Sequence, residues 1–160
     1  MIEQLLVWLG FTVGFLVYSL FRPNCARIVI GLFFIAMSLG VNLMFVLVDA
    51  RSFVALGSDS FLPFYRELFE THVAAHPVAF ALPAVVFELA IGVMMLFGGR
   101  VARFGMIGAV LFLVGIAPLN LATTPNVILA FAILLLVLRH DPKRAGELVA
   151  ASASKPVVGV

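Results

Sequence analysis

Hydrophobic residues fall into five long blocks along this chain, divided by short clusters of charged residues, proline and glycine. A helix crosses about 30 Å of hydrocarbon with about 20 mostly apolar residues, and four of the blocks meet or nearly meet that length. The pattern predicts spans at about 2–21, 26–48, 77–97, 101–121 and 125–139. The fifth is short. From Pro125 to Leu138 it supplies about 21 Å of helix, so it must tilt little, thin the bilayer locally or be buried by its neighbours.

The connection over 49–76 is the longest and is more than a linker. From Phe61 it reads FLPFYRELFETHV. Phe61, Phe64, Tyr65, Leu68 and Phe69 fall near one helical face, with Arg66, Glu67, Glu70 and Thr71 opposite. That division predicts a short helix lying in the outer membrane interface, aromatic side down. Residues 1–141 thus read as a single all-α membrane domain. Residues 142–160, polar and small (AASASKP), read as a mobile cytoplasmic tail.

Composition sharpens this picture. Of 160 residues, 64% are hydrophobic and 11% charged, with a mean hydropathy of +1.21. A soluble domain carries about 25% charged residues, so this surface must face lipid. The net charge of +2 comes from few basic residues at segment ends, which excludes nucleic acid as a partner. A single cysteine, Cys25, excludes an intrachain disulfide, a four-cysteine zinc site and a CxxC redox pair. The first block carries Glu3 where a secretory signal has Lys or Arg, and no small-residue cleavage site precedes Arg22. It reads as a retained helix.

Charge placement orients the bundle. Arg22 and Arg27 lie between spans one and two, and Arg100 and Arg103 between three and four. Arg139, Lys143, Arg144 and Lys155 follow span five, whereas Arg51 and Arg66 sit on the other side. The positive-inside rule then places the N-terminus outside and the C-terminus in the cytoplasm, as an odd number of spans requires. Gly10 and Gly14 form a GxxxG pair, Ala36 and Gly40 a small-xxx-small pair, and Gly108 and Gly115 lie along span four. All are expected to serve packing between helices of the bundle.

The informative residues are those that oppose the apolar framework. Glu88 sits near the middle of span three (AVVFELAIG). A charged carboxylate at the bilayer centre costs about 2.5 kcal/mol or more, so it faces a cavity or a partner, or stays protonated. It reads either as a ligand or proton site, or as a neutral acid bonded across helices. Asn42 differs from it by about 6 Å in depth, within reach of two side chains if their spans are neighbours. With Asn120 and Asn126, and with Asp49, His72 and His76 at the outer surface, these residues suggest a polar funnel with Glu88 at its base. The plainer reading makes Asn120 and Asn126 helix-end and turn residues beside Pro118 and Pro125. His72 and His76 have metal-ligand spacing only if the segment is helical, and Pro77 disfavours helix there. No metal is expected.

The run from Arg27 (RIVIGLFF) through Glu88 (ELAIGVMMLFGGRVARFGMIGAVLF) resembles the DoxX-like membrane proteins. The likeness covers about Ala26 to Arg139. Gly40-Val41-Asn42 stands where that family often carries a lysine or similar residue, and the external loop is longer than usual. The resemblance implies an up-down four-helix core, here with one extra N-terminal helix, in a bacterial or archaeal inner membrane. It also implies a small subunit beside a catalytic protein in quinone-linked redox chemistry. Three functions follow: a non-catalytic subunit or assembly partner of a membrane redox or envelope complex; a quinone-binding or other lipophilic-ligand-binding oxidoreductase subunit using Glu88, Asn42 and Asn120; or a small transporter or channel. Quinone is the one cofactor considered, and a membrane complex or homo-oligomer the expected assembly.

Overall fold

The computed structural model describes residues 2–139. Among these the chain is helical throughout, without a strand, and five helices are long and apolar enough to cross a membrane. The expected tail at 142–160, and with it Lys143, Arg144 and Lys155, lies outside the described residues.

Helix α1 covers Ile2–Phe21 and α2 covers Pro23–Val48, the latter interrupted by a π turn at Ser38–Asn42. Two short helices follow, α3 at Ala50–Ser58 and α4 at Pro63–Leu68, and a π turn at Phe69–Val73 extends α4. Helix α5 spans Pro77–Leu96, α6 spans Gly99–Ile116 and α7 spans Asn126–Arg139. Two 3-10 turns, Ala117–Leu119 and Leu121–Thr123, join the last two. The second lengthens the short fifth span to Leu121–Arg139, 19 residues.

Helix α2 begins three residues before its predicted start. Proline suits a first helical position, where the missing N–H would have no partner. Arg22, non-helical at φ −135° and ψ 64°, is the turn between α1 and α2. Cys25 and Arg27 therefore lie within α2 and not in a basic connection, and Arg27 is buried. At the same end Gly99, with φ +61°, makes the turn from α5 to α6, a left-handed conformation that glycine enters without a Cβ clash.

Helices α2, α5, α6 and α7 pack side by side in that order, and α1 fills the seam between α7 and α2. Ile30, Phe34, Ile91, Met95, Leu129 and Ile133 fill the centre. Glycines set the closest approaches, but only some of those expected from the sequence. A Cβ on Gly92 would lie 2.9 Å from the Gly31 carbonyl oxygen, and one on Gly105 would lie 2.8 Å from the Met94 Cβ. Gly10, Gly14, Gly40 and Gly115 have nothing within 4 Å of such a Cβ. The GxxxG pair of α1 and the small pair of α2 thus do not pack within this chain.

Helix α1 is held by aromatic contacts and one polar bond. Trp8 stacks on Phe11 at 5.1 Å and meets Phe33 at 5.7 Å, while its indole N–H donates to the Asn126 Oδ1 at 2.8 Å. Asn126 is buried, so it joins two spans and is more than a turn residue. Asn126→Leu removes a bond worth about 1 kcal/mol. It is expected to raise acrylamide quenching of Trp8, the single tryptophan of the chain. Unchanged quenching would show that the bond does not hold α1 in place.

The 49–76 connection folds over one end of the bundle. Its helical content exceeds expectation, because Asp49 caps an additional helix, α3. The aromatic face predicted to lie on the membrane divides. Phe69 and Val73 turn inward against Leu119, and the Tyr65 hydroxyl donates to the Gly115 carbonyl at 2.9 Å, whereas Phe61 and Phe64 stay exposed. Two tethers account for the inward roll: Ser60 Oγ donates to the Pro118 carbonyl at 2.7 Å, and the Arg66 guanidinium returns to the Ser60 carbonyl. Gly57 makes room for the Phe69 ring, which a Cβ there would meet at 2.1 Å.

Candidate polar site between two spans

Glu88 is the twelfth of the 20 residues of α5 and is 5% exposed. It shares a helix face with Val85, one turn before it, and Gly92, one turn after. Gly92 is the point where α5 touches Gly31 of α2, so this face looks toward α2. From α2, the half-buried Asn42 donates its side-chain N–H to the Glu88 Oε2 at 2.5 Å. One turn away Ser38 Oγ donates to the Val85 carbonyl at 2.9 Å. Two polar side chains of α2 therefore grip α5 in the middle of the bundle.

The backbone of α2 contributes to this arrangement. Ser38 and Asn42 bound the π turn, where an extra residue in the turn changes the angular relation of side chains before and after it. The π turn carries both residues onto the α5 side. Across from it, α5 contains Pro83, which has no N–H to contribute to the helical ladder. Each partner thus has an irregularity close to the polar contact. A carboxyl and a carboxamide placed together can hold a proton, or offer a donor and an acceptor to a carbonyl or hydroxyl compound.

The other residues of the expected funnel are engaged elsewhere. Asn120 caps the 3-10 turn that follows it: its Oδ1 accepts from the Thr123 N–H at 3.0 Å, and the Thr123 hydroxyl accepts from the Asn120 N–H at 3.0 Å. Asn126 is bonded to Trp8. Asp49 caps α3, accepting from the Ser52 N–H and hydroxyl, and that hydroxyl bond holds its carboxyl below the usual carboxylate range. The bond therefore supports α3 at neutral pH and is lost as the pH falls through that lowered value. His72 is exposed beside the Thr71 hydroxyl at 2.7 Å. His76 is exposed in the break before Pro77, off any shared helical face with His72. Among the described residues no three His, Cys, Asp or Glu side chains group as metal ligands. A surface groove of about 710 Å³ lies at this end of α5, lined by Ala75 to Ala79, Leu82, Pro83 and Val86. Neither Glu88 nor Asn42 lines it.

Arg27 was visible in the sequence only as a charge near a span end. It is 2% exposed, and its guanidinium donates to the carbonyls of Met95 and Phe97 where α5 ends, the latter at 2.5 Å. The signal available was an arginine followed at once by apolar residues, four positions past Pro23. An arginine so far inside a span start needs acceptors, and the nearest helix C-terminus supplies them. The chain matches no family model, no curated protein and no solved structure.

Proposed function

We propose that this chain is a DoxX-like small integral membrane protein that serves as a non-catalytic subunit or assembly partner of a membrane redox or envelope complex. The observation that carries the reading is the Asn42–Glu88 contact. The most conspicuous polar group in the spans is buried and spent on tying α2 to α5. Arg27 on the α5 carbonyls and Asn126 on Trp8 follow the same pattern. The Gly10–Gly14 face of α1 is exposed and stays open to a neighbour. The placement that goes with this reading is an inner membrane, N-terminus outside and C-terminus in the cytoplasm, as the lysine and arginine distribution favours.

Extraction in mild detergent followed by mass spectrometry of co-purifying proteins and small molecules tests it. A stoichiometric protein partner is expected, and Glu88→Gln should lower recovery of that complex more than it lowers turnover. Recovery of the wild-type chain alone would overturn the reading.

A second reading has its own support in the half-buried Asn42 at a π turn, an irregularity frequent at functional sites. Here the pair binds a lipophilic carbonyl compound of the quinone class, Glu88 donating to or accepting from its oxygen. Quinone in the gently extracted protein, together with activity lost in Glu88→Gln, would favour it.

A further inference from the structure

We infer that the Asn42–Glu88 pair opens sideways to molecules dissolved in the bilayer and is shut to those in the outer water, with Phe53 of α3 as the barrier. The route stands apart from both uses of the pair, since it sets which molecules reach the carboxyl and not what they do there. Toward the outer end, α2 and α5 meet in a small apolar cluster of Val46, Ala81 and Val85, and Phe53 and Leu43 pack against it. Val85 and Ala81 lie one and two turns outward of Glu88, and Val46 one turn outward of Asn42. The cluster therefore stands between the pair and the outer ends of the spans. Phe53 is itself held, because its ring meets that of the buried Phe69 at 5.8 Å and Asp49 caps the helix that carries it. A packed apolar layer of this kind refuses water and charged solutes.

The side toward the lipid is less well covered. Asn42 lies about 9 Å in from the end of its span at Val48 and is only half-buried. Around it Leu39, Val41 and Met44 are 47%, 40% and 51% exposed, and Gly40 has nothing within 4 Å of a Cβ. Surface at that depth faces hydrocarbon. Behind it the Glu88 carboxyl has, among the described residues, its one hydrogen bond with this half-covered carboxamide. A molecule that displaces Asn42 thus reaches Glu88 from the bilayer without crossing the Phe53 layer. The class admitted is uncharged and lipophilic.

Two carbodiimides decide the matter. Both add a carboxyl O–H across a C=N bond, oxygen to carbon and hydrogen to nitrogen, and rearrange to a permanent acylurea with no leaving group. The full chain in phosphatidylcholine nanodiscs, which leave both faces in water, is treated with lipophilic dicyclohexylcarbodiimide or with cationic, water-soluble ethyl-dimethylaminopropyl-carbodiimide. Mass spectrometry of its peptides then locates the label. Glu88 of the wild type is expected to take the lipophilic reagent and to stay free of the cationic one, under conditions in which the exposed Glu67 and Glu70 take the latter. Phe53→Ala should admit the cationic reagent to Glu88, whereas Val54→Ala, on the same helix but outside the cluster above the pair, should not. Labelling of wild-type Glu88 by the cationic reagent, or by neither reagent, would overturn the proposal, and that comparison needs no variant. So would a Glu88 that still resists the cationic reagent in Phe53→Ala, or one opened equally by Val54→Ala.

Discussion

Gly92→Leu is expected to destabilise the folded bundle by about 3 kcal/mol or more, because it forces two backbones apart. The first carbon of the new side chain already meets the Gly31 carbonyl at 2.9 Å, and the Phe34 Cβ and Ile35 Cγ1 at 3.0 Å. Two of these atoms, the Gly31 oxygen and the Phe34 Cβ, are fixed to the α2 backbone, and Phe34 is 1% exposed, so a shift of the Ile35 side chain alone cannot relieve the collision. Even Gly92→Ala should cost about 1–3 kcal/mol by the same collision. Gly14→Leu is the control. Nothing lies within 4 Å of a Cβ at that position, so its cost should stay within about 0.5 kcal/mol. Titration with sodium dodecyl sulfate, followed by far-ultraviolet circular dichroism, reads all three. Equal midpoints for Gly92→Leu and Gly14→Leu would mean that α2 and α5 do not pack through Gly31 and Gly92.

That contrast also marks what a sequence can and cannot say about a membrane bundle. Span positions were legible because burial in lipid demands apolar residues on all sides, and the five predicted ranges lie within about four residues of the observed spans. Pairing was not. Gly10 and Gly14 have the familiar spacing, yet the helices actually meet at Gly31 and Gly92, single glycines on two different helices. In a soluble helix the apolar stripe shows which side faces inward. Here every side is apolar, so periodicity carries little about rotation. Polar residues were the better guide: depth alone suggested that Asn42 and Glu88 could meet, and they share a hydrogen bond. Asn120 and Asn126 show the limit of depth as a criterion. Six residues apart and both beside a turn, one caps a 3-10 turn and the other crosses to Trp8, a distinction set by the direction each side chain takes. The inward roll of α4 was equally hidden, since it depends on the distant Pro118 and Gly115 carbonyls.

Arg27→Leu is expected to be the second most damaging change. The guanidinium lies at the point where α5 ends, and a helix C-terminus presents carbonyls without helical donors and a partial negative charge. Arg27 meets both needs by donating to the Met95 and Phe97 carbonyls. Each hydrogen bond from a charged donor contributes about 1.5–3 kcal/mol, but leucine also avoids the cost of burying a cation. The net loss should therefore be about 2–4 kcal/mol, nearer a single strong bond than the sum of two. Arg27→Lys separates charge from geometry. An ammonium keeps the cation at the helix end but lacks the planar fork that reaches two carbonyls from one side, so it should recover only part of the loss. If charge alone mattered, lysine would restore the wild-type midpoint. If the contact were incidental, leucine would leave it unchanged. The order expected from the geometry is arginine, then lysine, then leucine, with the α5–α6 turn at Gly99 the first segment to lose protection in hydrogen exchange.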